Sequence, residues 1–243
     1  MDYILIIGAK SDIGKALARK YAENGYSLYL AARNSKYLQD FANDIKIRNN
    51  NDVKCIDLDV LDYSSHQLIY RSLEIKPIGV IAVAGYLGEQ KMAQINFDES
   101  QRIINTNYTG LVSLLNIISY DFENNKTGFI IGISSVAGDR GRKSNYIYGS
   151  SKSALSTYLS GLRNQLYESQ VHVMTVKPGF VYTKMTKGMD LPKRLTADSE
   201  EVAEAIYNAQ QKGKNILYVK SIWRLVMFFI RNIPEWKFKR MSI

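Results

Sequence analysis

Two short stretches carry side chains that can do chemistry. Ile130-Ile-Gly-Ile-Ser-Ser-Val-Ala-Gly138 is apolar up to Ser134-Ser135, so it reads as a buried strand delivering a hydroxyl at its C-terminal end. Further on stands Tyr148-Gly-Ser-Ser-Lys152. On a helix, residues four apart share a face one turn apart, which pairs the Tyr148 phenol with the Lys152 ammonium. A nearby ammonium favours the phenolate, so the expected effect is a tyrosine pKa drawn down from about 10. Such a phenol can donate and accept the proton of an alcohol/carbonyl pair. The Tyr/Lys spacing alone also describes an ordinary solvated helix face. The serine and the upstream pattern turn it into an active-site candidate.

Positioning these groups requires strands that alternate with helices. Apolar runs predict strands at 3–7, 27–32, a segment ending at 57–59, 80–84, 129–133, 171–176 and 216–219. Helical periodicity separates them at 12–24, 37–47, 65–73, 100–122, 145–169 and 199–211. This alternation argues for an α/β fold with a parallel sheet covered on both faces. Right-handed crossovers then give a single-domain, Rossmann-type doubly wound sheet of about seven strands. Residues 1–220 form the dinucleotide-binding body in this reading, and 221–243 a basic amphipathic tail of the same domain.

Composition narrows the function classes. With 46% hydrophobic and 23% charged residues in 243, the chain matches an ordinary globular protein. Cys55 is the only cysteine, which excludes a disulfide framework and a cysteine-based metal site. His66 and His172 lie in no plausible ligand set, so structural roles and no metal are expected. The chain enters a strand at once, leaving no room for a signal peptide, and no apolar run reaches membrane-spanning length. A net charge of +9 points to nucleic acid, an anionic membrane or an anionic substrate. No aromatic-interleaved basic stripe or helix-turn-helix pattern supports nucleic acid.

Gly8-Ala-Lys-Ser-Asp-Ile-Gly14 lies between the first strand and the first helix. Gly8, Ser11, Asp12, Ile13 and Gly14 there are candidates to receive a pyrophosphate, since glycines admit close backbone approach and the helix N-terminus offers free amides. The spacing is not GxGxxG, and a tight turn is the competing reading. After the second strand, Ala32 occupies the place where an acid would bind the ribose of NAD, and Arg33 follows it. This favours NADPH, with NADH as the alternative and a surface arginine as the competing reading. Asp59-Val60 can receive an adenine amino group through the carboxylate, or Asp59 can simply hold a turn.

With these pieces assembled, the chain resembles the short-chain dehydrogenase/reductase family over almost its whole length. Ala84-Gly85, Asn107-Tyr-Thr-Gly110 and Pro178-Gly-Phe-Val-Tyr-Thr183 complete the matching motifs. The resemblance implies a catalytic set of Asn107, Ser135, Tyr148 and Lys152, with Asn107 holding a water that connects Lys152 to solvent. It also implies that Pro178, Gly179, Val181 and Thr183 border the nicotinamide and pyrophosphate, and that Lys152 holds the nicotinamide ribose. Pairing into a homo-oligomer through the helices at 109–122 and 148–169 is a further implication. Two departures stand out. Asp12 replaces the usual third glycine and Ile7 a threonine, and Ala82-Val-Ala-Gly85 replaces the usual Asn-Asn-Ala-Gly.

Residues 137–152 and 223–243 are similar to those of the family branch that reduces a polyprenyl-phosphate-linked 2-keto-pentose. That reaction is the second half of a 2′-epimerisation in cell-envelope polysaccharide synthesis, after a flavin-dependent oxidase has made the ketone. Five basic residues in 221–243 (Arg224, Arg231, Lys237, Lys239, Arg240) face one acid, Glu235, beside the apolar run from Trp223 to Ile230. This composition fits a helix lying on an anionic membrane surface, which would place the protein in the cytoplasm at the inner face of the cell membrane. Packing of the tail on the body or on a partner is the alternative. Arg140, Arg142 and Lys143 can border a substrate phosphate or form a solvated loop. Two other readings stay open: reduction of a different hydrophobic carbonyl (steroid, retinoid or acyl chain), and a non-catalytic membrane-associated nucleotide-binding scaffold.

Overall fold

The computed structural model describes residues 2–241, so Ser242 and Ile243 at the end of the expected tail lie outside it. Strand β1 (Tyr3–Ile7) is buried along its whole length and feeds helix α1 (Asp12–Glu23). Then follow β2 (Ser27–Ala32), α2 (Gln39–Asn49), β3 (Val53–Asp57), α3 (His66–Arg71) and β4 (Gly79–Ala82). Helices α4 (Gln90–Ile95), α5 (Phe97–Ile104) and α6 (Gly110–Asn125) lead to β5 (Phe129–Ile133). The long α7 (Tyr146–Gln165) precedes β6 (His172–Pro178), β7 (Phe180–Val181) and β8 (Thr196–Ala197). The order closes with α8 (Ser199–Gln211), β9 (Ile216–Val219), α9 (Ile222–Asn232) and α10 (Glu235–Phe238).

Seven strands pair in the order β3-β2-β1-β4-β5-β6-β9, every ladder parallel. One face packs against α1, α2 and α8, with Ile4, Ile6, Leu28, Leu30 and Ile131 pointing into that layer. The opposite face packs against α3, α6 and α7 through Leu5, Ile7, Val80, Ile130 and Val173. Neighbouring residues of one strand thus enter different cores, which is why the strands are uninterrupted apolar runs rather than alternating ones. Ala82 and Val83 are buried where the family motif carries asparagines, so apolar packing braces the central strands here.

The expected helix at 100–122 is not continuous. Asn105–Thr109 form a π-helical turn between α5 and α6. Immediately after it, Gly110 packs so closely on the loop after β3 that a Cβ would fall 2.2 Å from the Val60 carbonyl oxygen. The fourth strand ends earlier than expected, at Ala82, because the chain turns there and the amides of Val83 and Ala84 both donate to the Ile7 carbonyl. Helix α4 and the β7/β8 pair have no counterpart among the expected elements. Both are too short for periodicity to register.

The tail forms two helices that dock on the body. Trp223 and Met227 of α9 are buried with Val136 in a third apolar cluster. Arg140 fastens the far end: its guanidinium donates to the carbonyls of Ile230 (2.7 Å) and Ile233 (2.6 Å) and to the Glu235 carboxylate (2.8 Å). These are the carbonyls that a helix C-terminus leaves unpaired, and a cation suits that end of the helix dipole. Arg140 therefore holds the tail and does not border the substrate space, correcting that option. No helix of the described residues is long and apolar enough to cross a membrane.

Candidate active site

Strand order reverses between β1 and β4, and at such a switch point the carboxyl ends of parallel strands open a crevice. A cavity of about 880 Å³ lies there, bordered by the segments that follow β1, β4, β5 and β6. Gly8 has φ +93°, and a Cβ on it would fall 2.6 Å from the Ala84 amide nitrogen. On Gly14 a Cβ would fall 2.7 Å from the Gly8 carbonyl oxygen. Only glycine permits this turn. Ser11 braces it, its hydroxyl donating to Gly8 O (2.9 Å) and accepting from Gly14 N (3.0 Å). The result is a bare backbone cradle at the N-terminus of α1, an arrangement that fits a dinucleotide pyrophosphate.

Asp12, in place of the family's third glycine, occupies the first turn of α1 and accepts from the Lys184 amide (2.7 Å). It thereby ties the glycine turn to the loop after β7. Ile13, Gly85, Pro178, Gly179, Val181 and Thr183 also line the cavity. Gly179 does so in contact with the tail, since a Cβ there would fall 1.9 Å from the Trp223 indole nitrogen.

The fold separates the two adjacent serines. Ser134 is buried and donates to the Lys152 carbonyl (2.8 Å), clamping α7 to the end of β5. Ser135 borders the cavity, where its oxygen accepts from the Ala137 amide (3.1 Å). Tyr148 and Lys152 both face this space from α7. The ammonium lies 5.8 Å from the phenol ring centroid and donates to the Ile133 carbonyl (2.9 Å). Asn107 sits in the π-turn, fully buried. Its Nδ2 donates to Tyr86 O (2.7 Å) and Ser151 Oγ (3.1 Å), while Oδ1 accepts from Tyr86 N (2.8 Å). A Cβ on Gly85 would fall 3.2 Å from that Oδ1 and 3.4 Å from the Lys152 ammonium, so this glycine leaves room for both groups. The π-turn is what swings Asn107 inward, and such turns occur frequently at functional sites.

Electrostatics correct one expectation. Burial pushes the Tyr148 phenol up to about 12, and the Ser135 hydroxyl draws it back only in part. Burial also pushes the Lys152 ammonium down to about 8. Desolvation opposes charge on both groups and dominates both shifts, so the expected lowering of the tyrosine does not occur. At neutral pH the pair therefore holds a phenol proton facing the cavity beside a lysine that is still mostly charged.

The other expected cofactor contacts are spread along the sheet edge. Arg33 is exposed at the end of β2, and Lys10 joins it by donating to its carbonyl (3.2 Å). Sequence reading overlooked Lys10, which lies inside the glycine motif with nothing to show its direction. The Asp59 carboxylate accepts from the Leu61 amide (3.0 Å), the turn geometry that was its competing reading, and Val60 is buried next to it. His66, fully buried, spans Ser113 Oγ and the Asp59 carbonyl, a structural role.

Residues 2–193 match the family model described as short chain dehydrogenase. The chain belongs to the short-chain dehydrogenase family. This short-chain dehydrogenase is an NAD(P)-dependent oxidoreductase. It is 34% identical over 241 residues to an uncharacterized oxidoreductase of Mycobacterium tuberculosis, covering 98% of this chain and 96% of the relative. It is 30% identical over 234 residues to an NADP-dependent 3-hydroxy acid dehydrogenase of Schizosaccharomyces pombe, covering 90% of each. A short-chain dehydrogenase from Burkholderia cenocepacia, solved in complex with NADP, shares its fold with a TM-score of 0.86 at 19% identity, over 100% of this chain and 98% of that one.

Proposed function

We propose that this short-chain dehydrogenase uses NADPH to reduce a polyprenyl-phosphate-linked 2-keto-pentose, completing a 2′-epimerisation in cell-envelope polysaccharide synthesis. The observation that carries this reading is the Tyr148 phenol facing the cavity beside Ser135 and Lys152. A bound nicotinamide supplies hydride to the ketone carbon. Tyr148 gives its proton to the carbonyl oxygen, and Ser135 donates a hydrogen bond to the same oxygen as charge develops there. Lys152 stabilises the phenolate that remains, and Asn107 keeps the lysine end of the site in register with Tyr86 and Ser151. Proton and hydride together make the alcohol.

NADPH is favoured by what surrounds the end of β2. Ala32 offers no carboxylate to the ribose, while the exposed Arg33 and Lys10, whose ammonium donates to the Arg33 carbonyl, supply two cations at the end of β2 that suit a 2′-phosphate. The double variant Lys10→Ala/Arg33→Ala is expected to raise KM for NADPH about tenfold or more, with much less effect on NADH. Equal effects on both cofactors would remove this reading.

The tail supports a membrane-surface substrate. Leu225, Phe228, Phe229 and Trp236 are exposed, while Arg224, Lys237, Lys239 and Arg240 supply positive charge. A flavin-dependent oxidase would be the functional partner, supplying the ketone. The deciding assay couples such an oxidase and a polyprenyl-phosphoryl pentose to NADPH oxidation. A second reading, reduction of another hydrophobic carbonyl, is favoured by the apolar wall of Leu87, Met185, Met189 and Leu191. Higher kcat/KM on an acyl or steroid ketone than on the lipid-linked sugar would select it.

A further inference from the structure

Three polar atoms near Tyr148 are buried without a hydrogen-bond partner: Gln90 Nε2, Arg142 Nε and Asn145 Oδ1. They are three of the four such side-chain atoms among the described residues, and all three residues line the active-site cavity. Native proteins seldom leave buried donors and acceptors idle, and a cluster of them at one place points to a ligand.

Two of them are tied to the start of α7, the helix that carries Tyr148. Asn145 precedes the first turn of α7, three residues before Tyr148, and its carbonyl accepts from Gly149 N (2.7 Å). Gln90 Oε1 accepts from Ile147 N (3.2 Å), which fixes the amide against the residue next to Tyr148. Arg142 projects from the loop between β5 and α7 and makes no ion pair among the described residues. The acid nearest in sequence, Asp139, is engaged with the Lys177 ammonium and the Tyr218 hydroxyl (2.7 Å). Burial lowers the Arg142 pKa, and Asp139 offsets this only in part. An arginine has no protonation escape near neutral pH, so its partner must be brought by what binds.

We propose that Gln90, Arg142 and Asn145 form a subsite in the cavity that holds Tyr148, and that it binds an oxyanion of the substrate with an adjacent hydroxyl. Arg142 supplies the charge and a donor, Gln90 a second donor, and Asn145 an acceptor for the hydroxyl. Phosphate ester and carboxylate share this chemistry. The inference rests on Tyr148 meeting the ketone but on neither a lipid nor a pentose.

The test compares two pairs of small ketones: hydroxyacetone phosphate with hydroxyacetone, and 4-oxopentanoate with its methyl ester. Binding to the NADP-loaded enzyme and kcat/KM are measured for wild type, Arg142→Met, Arg142→Lys and Gln90→Leu, with NADPH binding as the fold control. Wild type is expected to favour the anionic member of one pair. Preference in the phosphate pair alone assigns a phosphate ester, and in the carboxylate pair alone a carboxylate. Arg142→Met should lower that preference about tenfold or more, chiefly through KM, and Arg142→Lys should keep part of it. A wild type that neither binds nor reduces an anionic member better overturns the subsite, and so does an unchanged preference in Arg142→Met. If Arg142→Met does not bind NADPH, Gln90→Leu decides in the same way. Failure on the lipid-linked sugar with this preference intact would count against the proposed substrate only.

Discussion

At Tyr148 the decisive quantity is where the proton resides. The phenol, raised to about 12 by burial, stays protonated across the neutral range, and in the proposed reduction it is the acid. Tyr148→Phe is therefore expected to lower kcat for ketone reduction by about 10²–10⁴-fold with NADPH affinity retained, measured by steady-state turnover and cofactor titration. Near wild-type turnover would end the proton-donor role. Lys152 sets the pH limit. Its proton is held below about 8 and lost above, whereas an ordinary lysine titrates near 10.4. With the charged lysine as the active form, kcat/KM for reduction should be level below about pH 8 and fall as pH rises through it. A profile flat to pH 10 would mean that the lysine charge does not act in this step. The serine pair and Tyr148–Lys152 were legible in sequence because their spacing reports helix and strand geometry. The direction of the tyrosine shift was not, since spacing carries no information about desolvation.

Among the elements, the contact between the turn after β6 and helix α9 links the cavity rim and the tail. The Trp223 indole lies against Gly179 and donates to the Leu195 carbonyl (3.0 Å) while lining the cavity. Gly179→Ala must displace a buried ring, and a loss of about 1–3 kcal/mol is expected. Thermal or urea unfolding measures it, and Trp223→Leu in the same background should recover part of the loss. An unchanged midpoint for Gly179→Ala would show that the contact yields freely. The π-turn at Asn107 escaped sequence reading because the contacts that hold it come from segments distant in the chain. Its neighbours decide it: Gly110 against Val60, and Asn107 against Tyr86 and Ser151.

At the scale of the whole molecule, the tail has one docked face and one exposed face. Trp223 and Met227 belong to the body, so removing everything after Ser221 would strip the cavity wall as well as any surface anchor. Point changes on the outer face separate the two. Phe228 and Phe229 are 61% and 62% exposed, and their replacement by serine leaves the docked face intact. The intact enzyme should float with vesicles rich in anionic lipid and less with neutral ones, and Phe228→Ser/Phe229→Ser should reduce that flotation severalfold. Equal flotation of both proteins, or none of either, would take the membrane surface out of the proposed function.

Local patterns determined much of this protein. Continuous apolar runs, intervening amphipathic helices and a glycine turn after the first strand were enough for the doubly wound parallel sheet, because chain periodicity and short-range sterics are written in adjacent residues. The Tyr148/Lys152 pair followed from the same geometry. Tertiary structure decided what adjacent residues cannot encode. It set Ser134 to clamp α7 and Ser135 to face the cavity, turned Arg140 to the tail and Arg142 to the site, and brought Lys10 to Arg33. It also made Trp223 part of the active-site wall. Each of these depends on burial and on contacts between segments far apart in the chain, and those arise only when the layers pack.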